Sequence, residues 1–125
     1  MNPGVYIADS DDSVANSIAF LLRSEGIASR VFTLGQHLFY TALQSPPECI
    51  VVESVLPDIT GLNLLQRLRM NSVETPVILL SQMTDSCSQV DALKCGAWDY
   101  LEKPFMQQQL VSSVQSALAR ALEPA

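Results

Sequence analysis

The sequence has little charge and little cysteine, and each shortage excludes a class of protein. Charged residues are 16% of the 125 residues, and seven basic residues against thirteen acidic ones give a net charge of −6. That balance argues against a protein that binds nucleic acid or anionic lipid through its net charge. The three cysteines lie at unrelated spacings, which excludes a disulfide framework and a closely spaced metal motif. We expect reduced thiols in a cytoplasmic protein.

Long hydrophobic runs are also missing. No apolar run approaches the ~20 residues of a membrane span, and residues 1–4 carry no basic region ahead of an apolar stretch. We therefore expect neither a membrane partner nor a secretory signal. The chain does have a hydrophobic fraction of 48%, which is enough to build one packed domain of this length.

Short β-rich runs alternate with longer helical patterns along the whole chain. Strands are predicted at residues 5–8, 28–32, 49–52, 77–80 and 98–101, each followed by a helix. Gly26 is predicted to end the first helix in the left-handed conformation. Thr33 opens the second helix, with Gln36 as its partner in a capping box. Five strand–helix units predict an α/β fold, a doubly wound (βα)5 parallel sheet with helices on both faces.

Polar side chains follow four of the predicted strands and should meet at one edge of the sheet, where open parallel sheets bind ligands. They are Asp9, Ser10 and Asp11 after the first strand, Glu53 after the third, Ser81 after the fourth, and Lys103 after the fifth. No Gly-rich phosphate loop follows the first strand, which excludes a dinucleotide enzyme and a flavodoxin-like electron carrier. Acidic side chains there suit a divalent cation or a lysine.

These features resemble the receiver domain of two-component response regulators over essentially the whole chain. The specific marks are the loop with Pro57-Asp58 and Gly61, the hydroxyl of Ser81, and the Lys103-Pro104 step, whose surroundings are similar to FixJ-type regulators. The resemblance implies a CheY-like, flavodoxin-like sheet with strand order 2-1-3-4-5. It also implies a receiver over residues 1–121, and residues 122–125 as a tail or the start of a linker to an output domain.

The resemblance further implies a role for several residues. In the family, an aspartate after the third strand takes a phosphoryl group from a histidine kinase, and Mg²⁺ is held by that aspartate and by an acid pair after the first strand. Carried over, Ser81 and Lys103 hold phosphoryl oxygens, and Tyr100 is the aromatic switch. That switch alters the face made by helix four, strand five and helix five. The expected pocket-lining residues are Val55, Gln82 and Pro104.

Three positions depart from the family pattern: Glu53 at the phosphoacceptor position, Ser10 in the acid pair, and Gln82 where a small residue is usual. The Glu53 side chain reaches about 1.5 Å further than aspartate, so we expect it to accept hydrogen bonds from Lys103 and Ser81. It would then mimic a phosphoryl group in part. Mg²⁺ requires near-octahedral oxygen ligands, so we expect no cofactor and weak or absent Mg²⁺ binding. The remaining candidate ligands are Asp9, Asp11 and Glu53.

The sequence therefore predicts an atypical receiver that is not an enzyme and does not depend on phosphorylation. It is expected to act by protein–protein contact, as a homodimer through the face named above, and to reach DNA only through a helix-turn-helix output domain outside this chain. Two alternatives stay open: a conventional receiver that accepts phosphoryl inefficiently with Mg²⁺, and a stand-alone signalling adaptor. Asp58, next to Pro57, is interpreted as a residue that shapes its loop.

Overall fold

The computed structural model describes residues 4–82 and 89–121 of the chain. The expected tail at residues 122–125, the first three residues and Cys87 lie outside the described residues. Within the described ranges, strands and helices alternate five times. The elements are β1 (Val5–Ala8), α1 (Asp12–Ser24), β2 (Ser29–Phe32), α2 (Gly35–Gln44), β3 (Cys49–Glu53), α3 (Gly61–Met70), β4 (Val77–Gln82), α4 (Gln89–Lys94), β5 (Asp99–Lys103) and α5 (Gln107–Ala121).

The strands form one parallel sheet in the order β2-β1-β3-β4-β5. β1 and β3 are buried along their whole length, as expected for strands covered by helices on both faces. Their continuous apolar runs follow from that environment. The predicted fold class and strand order are therefore confirmed.

Two hydrophobic layers cover the two faces of the sheet. Because successive side chains of a strand point to opposite faces, Tyr6 and Ala8 of β1 enter one layer, and Val5 and Ile7 enter the other. The first layer holds the buried residues of α2, α3 and α4, and the second holds those of α1 and α5. The helices thus pack against both faces of the central strands and fix the positions of the strand ends.

Glycine ends α1 as the sequence predicts. Gly26 lies at φ 77°, and its amide donates to the carbonyl of Arg23 while the amide of Ile27 donates to the carbonyl of Leu22. This is the Schellman pattern, which satisfies the last carbonyls of the helix and favours glycine at the left-handed position. α1 therefore stops directly before β2.

The start of α2 differs from the prediction. The helix begins at Gly35, and its N-cap residue Leu34 makes no side-chain capping bond, so the capping box of Thr33 and Gln36 is wrong. Asp58 takes that place, because its Oδ1 accepts from the Gly35 amide at 3.0 Å and its Oδ2 from the Gln36 amide at 2.9 Å. A carboxylate is a strong acceptor at a helix N-terminus. It ties the β3–α3 loop to α2.

Candidate functional site

The carboxyl ends of four strands bring the predicted polar residues together at one edge of the sheet. Asp9 follows β1, Glu53 ends β3, Ser81 lies near the end of β4, and Lys103 ends β5. Asp9 and Ser81 have no exposed surface, and Glu53 is 5% exposed. The buried carboxylates need partners inside the protein, because a charge without one is costly to bury.

Lys103 is the partner of Asp9. Its Nζ donates to Asp9 Oδ2 at 2.8 Å, and the amide of Asp11 donates to Asp9 Oδ1 at 2.9 Å. Burial raises the pKa of the Asp9 carboxyl, and the hydrogen bond from Lys103 counteracts only part of that effect. The ammonium therefore compensates a carboxylate that has no access to water.

Ser10 is the main partner of Glu53. Glu53 Oε2 accepts from the Ser10 amide at 2.8 Å and from the Ser10 hydroxyl at 2.7 Å, while Lys103 Nζ lies 3.6 Å from Glu53 Oε1. Burial alone would raise the pKa of Glu53, but the two Ser10 hydrogen bonds and the charge of Lys103 outweigh it and lower the pKa. Glu53 is thus an ionised carboxylate whose hydrogen-bond donors come from the same chain.

This arrangement differs from the predicted partners of Glu53. Lys103 Nζ lies 3.6 Å from Glu53 Oε1, which is an ion-pair distance and is too long for the expected hydrogen bond. The hydroxyl of Ser81 donates to the backbone oxygen of Gln82 at 3.2 Å. The hydrogen bonds from Ser10 to Glu53 are not among the predicted contacts, although a short hydroxyl residue facing an extended glutamate is a signal for a hydrogen bond between them.

Asp11 is turned toward α1. Its Oδ1 accepts from the amides of Ser13 and Val14 at 2.9 and 3.3 Å, and the residue is exposed. It caps the first helix in the way that aspartate commonly does. The acidic pocket therefore consists of Asp9, Ser10 and Glu53, with the Asp11 carboxylate outside it.

The pocket residues do not fit a magnesium ion. Mg²⁺ needs several oxygen ligands at ~2.1 Å in octahedral geometry, but the Asp9 carboxylate is held by Lys103 and the Asp11 amide, and one Glu53 oxygen by Ser10. In residues 4–82 and 89–121, no three or more acidic, histidine or cysteine side chains are grouped so that they could hold a metal. The donor set favours an ammonium group over a divalent cation.

Gly61 also shapes the site, although the sequence pattern indicates only that it belongs to the loop after the third strand. A Cβ on Gly61 would lie 2.7 Å from the backbone oxygen of Glu53 and 2.8 Å from Leu79 Cδ2. Its amide also donates to the carbonyl of Ser54 at 2.8 Å. The start of α3 can therefore approach the end of β3 only with glycine here, and this contact fixes the Glu53 backbone.

The other predicted residues surround the pocket at different depths. Val55 is 51% exposed, Gln82 and Pro104 are exposed, and the Lys103–Pro104 peptide bond is cis. Tyr100 on the edge strand β5 is only 8% exposed and lies in the buried cluster that contains Leu79. The tyrosine is thus in an inward position, and its role as a switch stays a prediction.

The comparisons with known proteins point to one family. The model of the response regulator receiver domain matches residues 5–115. The transcriptional regulatory protein FixJ of Azorhizobium caulinodans is 35% identical over 95% of this chain and 56% of that protein. The DNA-binding response regulator MtrA of Mycolicibacterium smegmatis is 30% identical over 96% of this chain and 52% of that protein. The chain thus spans about half the length of these curated relatives.

Solved structures give the same likeness. The receiver domain of the Francisella response regulator 1452 has a TM-score of 0.89 and 32% identity, over 96% of this chain and 99% of that one. The crystal structure of FixJ-N has a TM-score of 0.88 and 26% identity, over 99% of both chains. Separately, no helix within the described ranges has the length and apolar character needed to cross a bilayer.

Proposed function

We propose that this chain, which belongs to the response regulator receiver domain family, is an atypical receiver whose state does not depend on phosphorylation. Its relatives FixJ and MtrA are named as a transcriptional regulatory protein and a DNA-binding response regulator, so the family is one of transcriptional response regulators. The single observation that carries the proposal is the pair of hydrogen bonds from Ser10 to Glu53.

These bonds oppose phosphoryl transfer to Glu53, the residue we propose to hold the phosphoacceptor position. One carboxylate oxygen already accepts two hydrogen bonds, and the other faces Lys103 at 3.6 Å. A phosphodonor would have to displace these partners. In-line transfer also depends on a metal ion and on precise positioning, and we propose that Mg²⁺ binds this pocket weakly or not at all.

The same contacts support a fixed state of the pocket. Lys103 lies between the carboxylates of Asp9 and Glu53, at 2.8 and 3.6 Å, which joins the ends of β1, β3 and β5 without an added phosphoryl group. Tyr100 is buried in the inward position. We propose that the negative charge of Glu53 substitutes in part for a phosphoryl group and holds these strand ends together.

A receiver with a fixed pocket acts through its contacts with other proteins. We propose that it pairs with a second copy through the face of α4, β5 and α5, where Val90, Leu93 and Met106 are 59%, 48% and 67% exposed. DNA binding would belong to an output domain elsewhere in the protein, linked through residues 122–125. The free thiols of Cys49 and Cys95 suit the cytoplasmic setting that we propose.

The proposal is tested by asking whether the pocket accepts a phosphoryl group. The wild type, the double variant Ser10→Asp/Glu53→Asp and the control Glu48→Asp, an exposed acid ahead of β3, are incubated with radiolabelled acetyl phosphate and Mg²⁺. We expect the wild type and the control to stay unlabelled. The double variant, with an ordinary acid set restored, should gain label on the order of 100-fold.

Labelling of the wild type within about tenfold of the double variant would contradict the proposal. It would favour the second candidate, a conventional receiver that accepts phosphoryl slowly. That candidate has support in the position of Ser81 and Lys103 at neighbouring strand ends. Hydroxylamine release of the label would assign it to a carboxylate, since acyl phosphates are cleaved by that nucleophile.

A further inference from the structure

A second polar pocket lies at the opposite end of the sheet, where β4 and β5 begin. It has a volume of about 360 Å³ and contains two arginines from different helices, Arg69 of α3 and Arg120 of α5, together with Trp98 and Glu74. A volume of this size falls in the range of small-molecule sites. It shares no residue with the acidic pocket.

Backbone oxygens hold Arg69 in place. One of its terminal nitrogens donates to the carbonyl of Val73 at 2.8 Å, and the other lies 3.4 Å from the carbonyl of Gly96. A guanidinium has five N–H donors, so these two contacts leave others for a ligand. Arg120 extends along Trp98, with its guanidinium carbon 5.7 Å from the centre of the indole ring.

The two arginines repel each other. Burial lowers the pKa of Arg69, the charge of Glu74 counteracts part of that effect, and the charge of Arg120 lowers the pKa by a smaller amount. Neither arginine lies within 4.0 Å of a carboxylate in the part of the chain that the structure describes, where the ion pairs are those of Lys103. Because the pocket holds two arginines and one glutamate, it keeps an excess of positive charge, which favours a bound anion.

We propose that Arg69 and Arg120 form a binding site for the phosphate group of a small metabolite. Guanidinium groups bind phosphate oxygens in a bidentate manner, and two of them from separate helices suit an anion with several oxygens. Trp98, beside Arg120, offers a planar surface to the rest of the ligand. The bound phosphate would bridge α3, the α4–β5 loop and the last turn of α5.

The test uses the fluorescence of Trp98, the single tryptophan of the chain. Inorganic phosphate, pyrophosphate and citrate are titrated at constant ionic strength, with sodium chloride as the reference. We expect a saturable change with phosphate and pyrophosphate. The Arg120→Gln variant should bind roughly tenfold more weakly, and Glu74→Gln should bind more tightly because a competing carboxylate is removed. The control Arg23→Gln, an exposed arginine on α1, should bind as the wild type does.

Several results would overturn the proposal. One is a change that grows linearly and equals that of chloride, since it reports only screening. Equal affinity of Arg120→Gln and the wild type would remove the arginine pair from the site. Tighter binding of citrate than of pyrophosphate would assign the pocket to carboxylates instead of phosphates. Because Arg120 is exposed, its variant is expected to fold, and a circular dichroism spectrum checks this.

Discussion

The charged side chains at the two ends of the sheet differ in whether they have partners of opposite charge nearby. At the carboxyl ends, Asp9 and Glu53 both have partners, Lys103 at 2.8 and 3.6 Å and Ser10 at 2.7 Å. At the amino ends, Arg69 and Arg120 share a pocket with Glu74, and neither arginine lies within 4.0 Å of a carboxylate among the described residues. The comparison teaches that the pocket where a receiver would take up phosphate is satisfied internally, while the pocket that could take an anion lies elsewhere.

Removal of Lys103, at the carboxyl ends of the strands, should cause the largest loss of unfolding free energy. The Lys103→Met variant leaves the fully buried Asp9 carboxylate unpaired, which costs about 3 kcal/mol of unfolding free energy at neutral pH. Since the pKa of Asp9 is already raised, the loss should shrink on acidification, as Asp9 becomes protonated. Urea unfolding at several pH values measures both effects.

The matched control for this variant is Lys94→Met, an exposed lysine at the end of α4. It should change the unfolding free energy by no more than about 0.5 kcal/mol. A loss below about 1 kcal/mol in Lys103→Met would show that Asp9 does not depend on the ammonium.

Neutralising Glu53 should cost less and should depend on pH with a defined sign. The Glu53→Gln variant loses the charged acceptor of two Ser10 bonds, an expected loss of about 2 kcal/mol near neutral pH. The pKa of Glu53 is lowered from 4.5, so its ionised form stabilises the fold above that pH, and the contribution is lost as the pH falls through the lowered pKa.

The difference between the wild type and Glu53→Gln should therefore be constant near neutrality and shrink below pH 4.5. The exposed Glu48 gives a matched control, Glu48→Gln, which should change the unfolding free energy near neutral pH by no more than about 0.5 kcal/mol. A Glu53→Gln difference that grows on acidification would contradict the lowered pKa.

Asp58 tests a carboxylate that accepts hydrogen bonds from two backbone amides. The Asp58→Ala variant should lose about 1 kcal/mol, the usual effect of removing a helix N-cap. Asp58→Asn, which keeps an acceptor oxygen but no charge, should lose less. Hydrogen exchange at the Gly35 and Gln36 amides should accelerate in both variants. Unchanged exchange there would mean that the cap does not hold the first turn of α2.

The smallest effect is expected at the amino ends. Arg120→Gln gives up a cation–π contact with Trp98 but relieves repulsion with Arg69, so the unfolding free energy should change by less than about 0.5 kcal/mol. Thermal unfolding in phosphate-free buffer measures this. A loss above about 1 kcal/mol would mean that Arg120 has a structural role, which would weaken the contrast between the two ends.

The sequence predicted most of the fold because its signals are local. Continuous apolar runs such as β3 identify strands buried on both faces, and Gly26 ends α1 because it adopts φ 77° at low cost. The order of the strands came from the resemblance to receivers. The capping of α2 was missed because Asp58 lies 23 residues from Gly35, and a local capping pattern does not report a partner that distant.

The sequence predicted which residues form the candidate site but only some of the contacts between them. Lys103 and Asp9 follow from the convergence of strand ends, which any parallel sheet imposes. The Ser10–Glu53 bonds depend on how far a longer side chain reaches and which donor it meets, and the sequence does not give those distances. The sequence did not predict that Arg69 and Arg120 share a pocket, because the two residues lie on different helices and are brought together only by the tertiary packing.

The most direct test of the internally satisfied pocket is a titration followed by amide NMR spectroscopy. Mg²⁺ is added first and beryllofluoride, a phosphoryl mimic, second, to the wild type and to Ser10→Asp/Glu53→Asp. The account predicts that the wild-type resonances of Asp9, Glu53, Ser81 and Lys103 stay in place, while those of the double variant shift and saturate. Saturable shifts of these residues in the wild type, followed by Tyr100, would contradict it.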